Sequence, residues 1–93
     1  MAKLRWSNKA VDDLLEIQEN AGKISEKYAM DLMSRLMEKP KILKVMPEMG
    51  RIVPEKKNPK IRELFERQFR IIYRIENDLV EIINVINSSK SLR

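Results

Sequence analysis

The sequence predicts an α+β fold of order β-α-α-β-β-β, with a helical hairpin packed on one face of a small antiparallel sheet. Apolar residues recur at a period of 3.6 through the first half of the chain and at a period of 2 after Lys60. One short connection, Gly22-Lys23-Ile24, joins the two helical stretches and folds them into a hairpin. Composition sets the scale: 93 residues, 43% apolar and 35% charged with only 2 Gly, suffice for one core, so a single domain over 1–93 is expected.

Lys3-Leu4-Arg5-Trp6 alternates polar and apolar residues, a short strand signal, and the sheet can take this strand at an edge. Ser7 stands where an N-cap hydroxyl satisfies free helix N–H groups. Ala10, Leu14, Ile17 and Ala21 then share a helical face, Val11 and Leu15 widen the stripe, and Asp12 and Asp13 suit the positive end of the helix dipole. This predicts a helix over roughly 8–21, with Gly22 as its C′ stop. Ser25 is a second N-cap, followed by Ala29, Leu32, Met33, Leu36 and Met37 at helical spacing. Pro40 ends or kinks that helix, and Ile42, Leu43, Val45 and Met46 form a short apolar turn before Pro47. Pro47-Glu48-Met49-Gly50 is turn chemistry, and 54–59 is a basic loop. Ile61–Arg67, Phe69–Glu76 and Leu79–Ile86 read as strands joined by hairpin turns at Arg67-Gln68 and Glu76-Asn77-Asp78. Alternation puts Phe69, Ile71, Tyr73 and Ile75 toward the helices and Arg70, Ile72 and Arg74 on the other face. Leu79–Ile86 is apolar on both faces, as a central or covered strand is.

The chain has no cysteine and no histidine. It therefore forms no disulfide or thiolate metal site, lacks the usual zinc ligand, and runs neither Cys, Ser-His nor His-based acid–base chemistry. No metal and no cofactor is expected. Any catalysis would rest on carboxylate, Lys, Arg or Tyr side chains. No run approaches the roughly 18 apolar residues of a membrane span, and MAKLRWSNKA lacks a secretion-signal core, so the expected address is the cytoplasm, away from membranes.

The formal charge is +5, and residues 51–74 hold eight basic side chains against three acidic ones while the remainder is balanced. An excess confined to one stretch points to a polyanion or an acidic protein as partner. The candidate target- or phosphate-binding residues are Arg51, Lys56, Lys57, Lys60, Arg62, Arg70, Arg74 and Lys90. Arg70 and Arg74 share a strand face and suit bidentate phosphate recognition; the competing role is to pair with Glu63, Glu66 or Glu81 across strands. Aromatic platforms for bases are scarce, since Phe69 and Tyr73 fall on the apolar face. Met30, Met33, Met37, Met46 and Met49 read as core filling and a flexible docking surface.

The helical hairpin, P-E-M-G-R at Pro47–Arg51, I-R-E-L at Ile61–Leu64, F-R-I-I-Y-R-I at Phe69–Ile75, and a last apolar strand ending in V-I-N-S-S-K together resemble the RelE/ParE superfamily of type II toxin–antitoxin toxins, the plasmid stabilisation protein family. Each motif alone is weak; their order and spacing over nearly the whole chain make the joint signal specific. The resemblance implies a growth-inhibiting toxin neutralised by a co-encoded antitoxin in a hetero-oligomer. It also carries two mechanisms. RelE-like members cleave mRNA in the ribosomal A site, by attack of a ribose 2′-OH on its adjacent phosphate without a metal, whereas ParE-like members inhibit DNA gyrase. Cleavage needs a proton acceptor, a donor to the 5′-leaving oxygen and cations for the phosphorane charge. Arg62, Arg70, Arg74 and Lys90 are the candidates in a nuclease, but where many nuclease members carry His or Tyr and Arg this chain reads Asn87-Ser88-Ser89-Lys90. The reading favoured is a ParE-like gyrase inhibitor that is not an enzyme. The alternative is a RelE-like ribosome-dependent mRNA endonuclease, an mRNA interferase, and the second alternative a non-toxic basic nucleic-acid-binding module. The expected antitoxin is acidic, disordered until bound, and laid over the apolar rim of the helices or the open sheet edge.

Overall fold

A computed structural model, which describes residues 1–91, places two helices across one face of a five-stranded sheet. Ser7 accepts the Ala10 N–H at the start of α1 (Asn8–Gly22), and Ser25 accepts that of Tyr28 at the start of α2 (Glu26–Glu38), so both predicted caps form. Ala10, Leu14 and Ala21 of α1 and Ala29, Leu32 and Leu36 of α2 form one core with sheet residues that include Phe69, Ile71, Tyr73 and Ile82. Only this stripe is covered. Val11 and Leu15, expected to widen it, remain 41% and 57% exposed, because no third layer lies over the helices. Gly22 is not a left-handed stop either. Its φ is not positive, and the Ile24 and Ser25 N–H groups both bond the Ala21 carbonyl, closing the helix without that conformation.

Pro40 turns the chain out of α2 into a 3-10 segment, Lys39–Lys44, anchored by the fully buried Leu43, and a second 3-10 turn follows at Pro47–Met49. The strands are β1 (Lys3–Trp6), β2 (Arg51–Ile52), β3 (Ile61–Glu66), β4 (Phe69–Glu76) and β5 (Leu79–Asn87), in spatial order β1-β5-β4-β3-β2. Two features depart from the expected sheet. It is mixed, because β1 joins β5 in parallel, and the two-residue β2 extends the far edge beyond β3. β5 lies between β1 and β4, the covered position its two apolar faces predict.

A bulge marks β5: Ile72 faces Asn84 while Tyr73 faces Ile82, leaving Ile83 unpaired. β1 ends at Trp6, so β5 loses its outer partner at this level, and α1 takes over. The Ser7 N–H bonds the Ile82 carbonyl at 2.9 Å, and Asp13 accepts the Val85 N–H at 2.9 Å. Asp13 therefore satisfies a strand donor rather than serving chiefly the helix dipole.

Candidate functional site

β3 and β4 turn Glu63, Arg70 and Ile72 away from the helices, yet that face is closed. Val53 and Ile72 are fully buried, and Glu63 and Arg70 are 1% and 5% exposed. Arg70 Nε donates to Glu63 Oε1 at 2.6 Å, its two terminal nitrogens donate to the Glu55 carboxylate at 2.9 Å each, and Nη1 also reaches the Lys90 carbonyl at 3.1 Å. These bonds draw the 53–60 loop and the residues after β5 over the sheet. Arg51 Nε donates to the second Glu63 oxygen at 2.5 Å, with its guanidinium 5.0 Å over the Phe65 ring. The hydrogen bonds that Arg70 donates to Glu55 raise its pKa above the ordinary arginine value against the opposing effect of burial, and Glu63 adds to the rise. Arg70 thus takes the cross-strand pairing role rather than facing outward as the alternation alone suggests. A buried guanidinium with two carboxylate partners is a structural cation.

Arg62 lies on the opposite face, because it pairs across the sheet with Tyr73. Its Nε donates to the Pro59 carbonyl at 2.9 Å and its Nη1 to the Gly50 and Glu48 carbonyls at 3.0 and 3.3 Å. The Tyr73 hydroxyl donates to the Pro47 carbonyl at 2.7 Å and accepts the Gly50 N–H at 2.9 Å, and burial pushes the phenol pKa up. A Cβ at Gly50 would lie 2.5 Å from the Glu63 carbonyl oxygen and 2.6 Å from the Tyr73 hydroxyl. P-E-M-G-R therefore needs its glycine for close approach, not for an unusual φ.

The candidate cations separate accordingly. Arg62 and Arg70 flank the sheet on opposite faces. Arg74 shares the Arg70 face but sits four residues further along β4, 3.7 Å from the Glu81 carboxylate that Arg5 also holds. Lys56, Lys57 and Lys60 on the loop and Lys90 after β5 are exposed and make no ion pair among the described residues. Sequence reasoning missed Glu55 as the main partner of Arg70. The available signal was its place as the one acid within the basic loop, Pro54–Pro59.

Two apolar surfaces stay open. One is a groove on the outer side of the helical hairpin, lined by Trp6, Val11, Leu14, Leu15, Met33 and Met37. The other is a ridge along residues 42–52, running from the first 3-10 segment through the second to β2, where Ile42, Val45, Met46, Met49 and Ile52 are all exposed.

With this geometry in view, comparison with known proteins is specific. A family model described as the ParE toxin of type II toxin-antitoxin system, parDE, matches residues 4–92. Among solved structures, a chain from the chromosomal ParDE TA system of P. aeruginosa is similar, with 26% sequence identity and a TM-score of 0.78, covering 94% of this chain and 96% of that one. No curated protein matches. The family match runs from β1 through the helical hairpin, the P-E-M-G-R turn and all the later strands, and on that span the chain belongs to the ParE toxin family of type II toxin–antitoxin systems.

Proposed function

We propose that this chain arrests growth by binding and inhibiting DNA gyrase, performs no chemistry of its own, and is held inactive in the cytoplasm by a co-encoded antitoxin. The observation that carries the non-catalytic reading is the dispersal of the cations. Arg70 is enclosed by Glu55 and Glu63, Arg62 is spent on backbone carbonyls across the sheet, and Arg74 lies apart beside Glu81. In-line phosphodiester cleavage needs such groups converged on one phosphate beside a proton acceptor. Asn87, Ser88 and Ser89 offer no base at neutral pH, and Lys90 contributes to the convergent site only its backbone carbonyl. The candidate cations that keep exposed side chains for a target are Arg51, Lys56, Lys57, Lys60, Arg74 and Lys90.

The antitoxin falls to the groove of Trp6, Val11, Leu15 and Met37, whose apolar lining fits the interface of a permanent partner. The deciding experiment adds purified protein to a gyrase supercoiling reaction and, separately, to translating ribosomes with a labelled mRNA. Inhibited supercoiling with intact mRNA is expected. Site-specific cleavage of the mRNA would replace gyrase inhibition with the RelE-like endonuclease reading.

A further inference from the structure

The groove on the helices leaves the ridge at 42–52 without an occupant, and its surroundings differ in kind. Between Lys39 and Arg62 the chain carries eight basic residues and two acidic ones, an excess greater than the +5 of the whole molecule. Both acids are engaged, Glu48 with Arg62 and Glu55 with Arg70. Lys39 and Lys41 precede the apolar side chains, Lys44 stands among them, and Lys56, Lys57 and Lys60 follow on the loop beyond β2. The helix groove has no such border, since α1 and α2 interleave acidic and basic residues.

The ridge is also held rigid. The Val45 and Met46 N–H groups bond the Ile42 carbonyl and that of Met49 bonds the Met46 carbonyl, making successive tight turns. Buried Pro40 and Leu43 fasten one end, the Ala2 N–H bonds the Lys44 carbonyl, and Tyr73 and Arg62 clamp residues 47–50 from beneath. Outward-facing aliphatic and methionine side chains on a fixed backbone are preorganised for docking, and nothing in the core requires them there.

We infer that the Ile42–Ile52 ridge is the target-docking face of the molecule, and that it takes an acidic protein surface bearing apolar side chains. This inference rests on the toxin reading. Basic side chains along an apolar stretch suit steered encounter with an acidic partner, as an inhibitor finding its target needs. The antitoxin, expected to be acidic too, is assigned to the helix groove by that groove's apolar lining, and its binding is read separately in the test. A protein fits better than a nucleic acid, because Ile, Val and Met offer bases no stacking surface and the ridge carries no aromatic side chain.

The test uses the protein together with its cognate antitoxin. Val45→Glu combined with Met49→Glu alters two side chains that are 63% and 53% exposed, so the fold should survive, and antitoxin binding reports that it does. The expected result is growth inhibition and gyrase inhibition weakened by about thirtyfold or more, with antitoxin affinity within about threefold of wild type. Lys44→Glu should weaken inhibition chiefly at low salt. Three outcomes overturn the assignment: unchanged growth inhibition by the double variant, loss of antitoxin binding in step with inhibition, or wild-type binding to duplex DNA that the double variant retains in full. If wild-type protein arrests growth without touching gyrase, the gyrase reading falls while the growth assay still decides the ridge. If it neither arrests growth nor binds the antitoxin, both fall together.

Discussion

Arg70 shows at the scale of one residue how a charge that looks functional in a strand becomes structural. Arg70→Ala should lower stability by about 3–5 kcal/mol, because the fully buried Glu63 carboxylate would keep only Arg51 as a partner. Urea unfolding measures it, and Arg70→Met with Glu63→Leu should regain most of the loss; a single variant as stable as wild type would mean the pair contributes nothing. Gly50→Ala should cost about 1–3 kcal/mol, since the added methyl meets the Glu63 backbone and the Tyr73 hydroxyl, neither of which can yield freely. Tyr73→Phe removes the bonds to Pro47 and Gly50 and should cost about 1–3 kcal/mol near neutral pH. Its pH dependence has a definite sign. The folded phenol pKa is raised by burial, so the contribution of Tyr73 is complete below the unfolded value of about 10 and is lost as pH rises through the folded value. Wild type should therefore lose its advantage over Tyr73→Phe in alkaline unfolding, and a constant difference across that range would contradict the assignment. The cross-strand pairing of Arg70 with Glu63 was legible from strand spacing, but its bond to Glu55 was not, because loop geometry is invisible to periodicity.

At the scale of elements, the strongest signals in the chain were periodic, and they located both helices, both N-caps and the three long strands to within a residue or two. What periodicity lacks is direction. Lys3-Leu4-Arg5-Trp6 alternates equally well in a parallel or an antiparallel partner, so only the folded chain reveals that β1 runs parallel to β5. Two residues, Arg51 and Ile52, are too few for any pattern, which hides β2. Val11 and Leu15 look like core because hydropathy counts a stripe without knowing how many layers cover it. Asp13 belongs with these silent features: it looks like a dipole residue and serves as the partner of the Val85 N–H beside the bulge. Asp13→Ala should cost about 1–3 kcal/mol and speed amide exchange at Val85 specifically. Exchange unchanged at Val85 would assign the bond no protective role.

The whole molecule leaves two separate apolar surfaces in water around a core of modest size, and that is the scale at which a partner matters. With antitoxin at about a hundred times its dissociation constant, linkage adds about 2.7 kcal/mol, so the complex should melt well above the free chain. Equal melting temperatures would argue against a stabilising partner. The arrangement of the sheet also carries a temporal meaning. Among the described residues β1 is the first strand along the chain and β5 the last, yet the two are neighbours, and β5 is the only strand with which β1 pairs. A nascent chain halted at Asp78 would lack the strand that β1 pairs with and α1 packs on, so the sheet closes only once β5 has emerged.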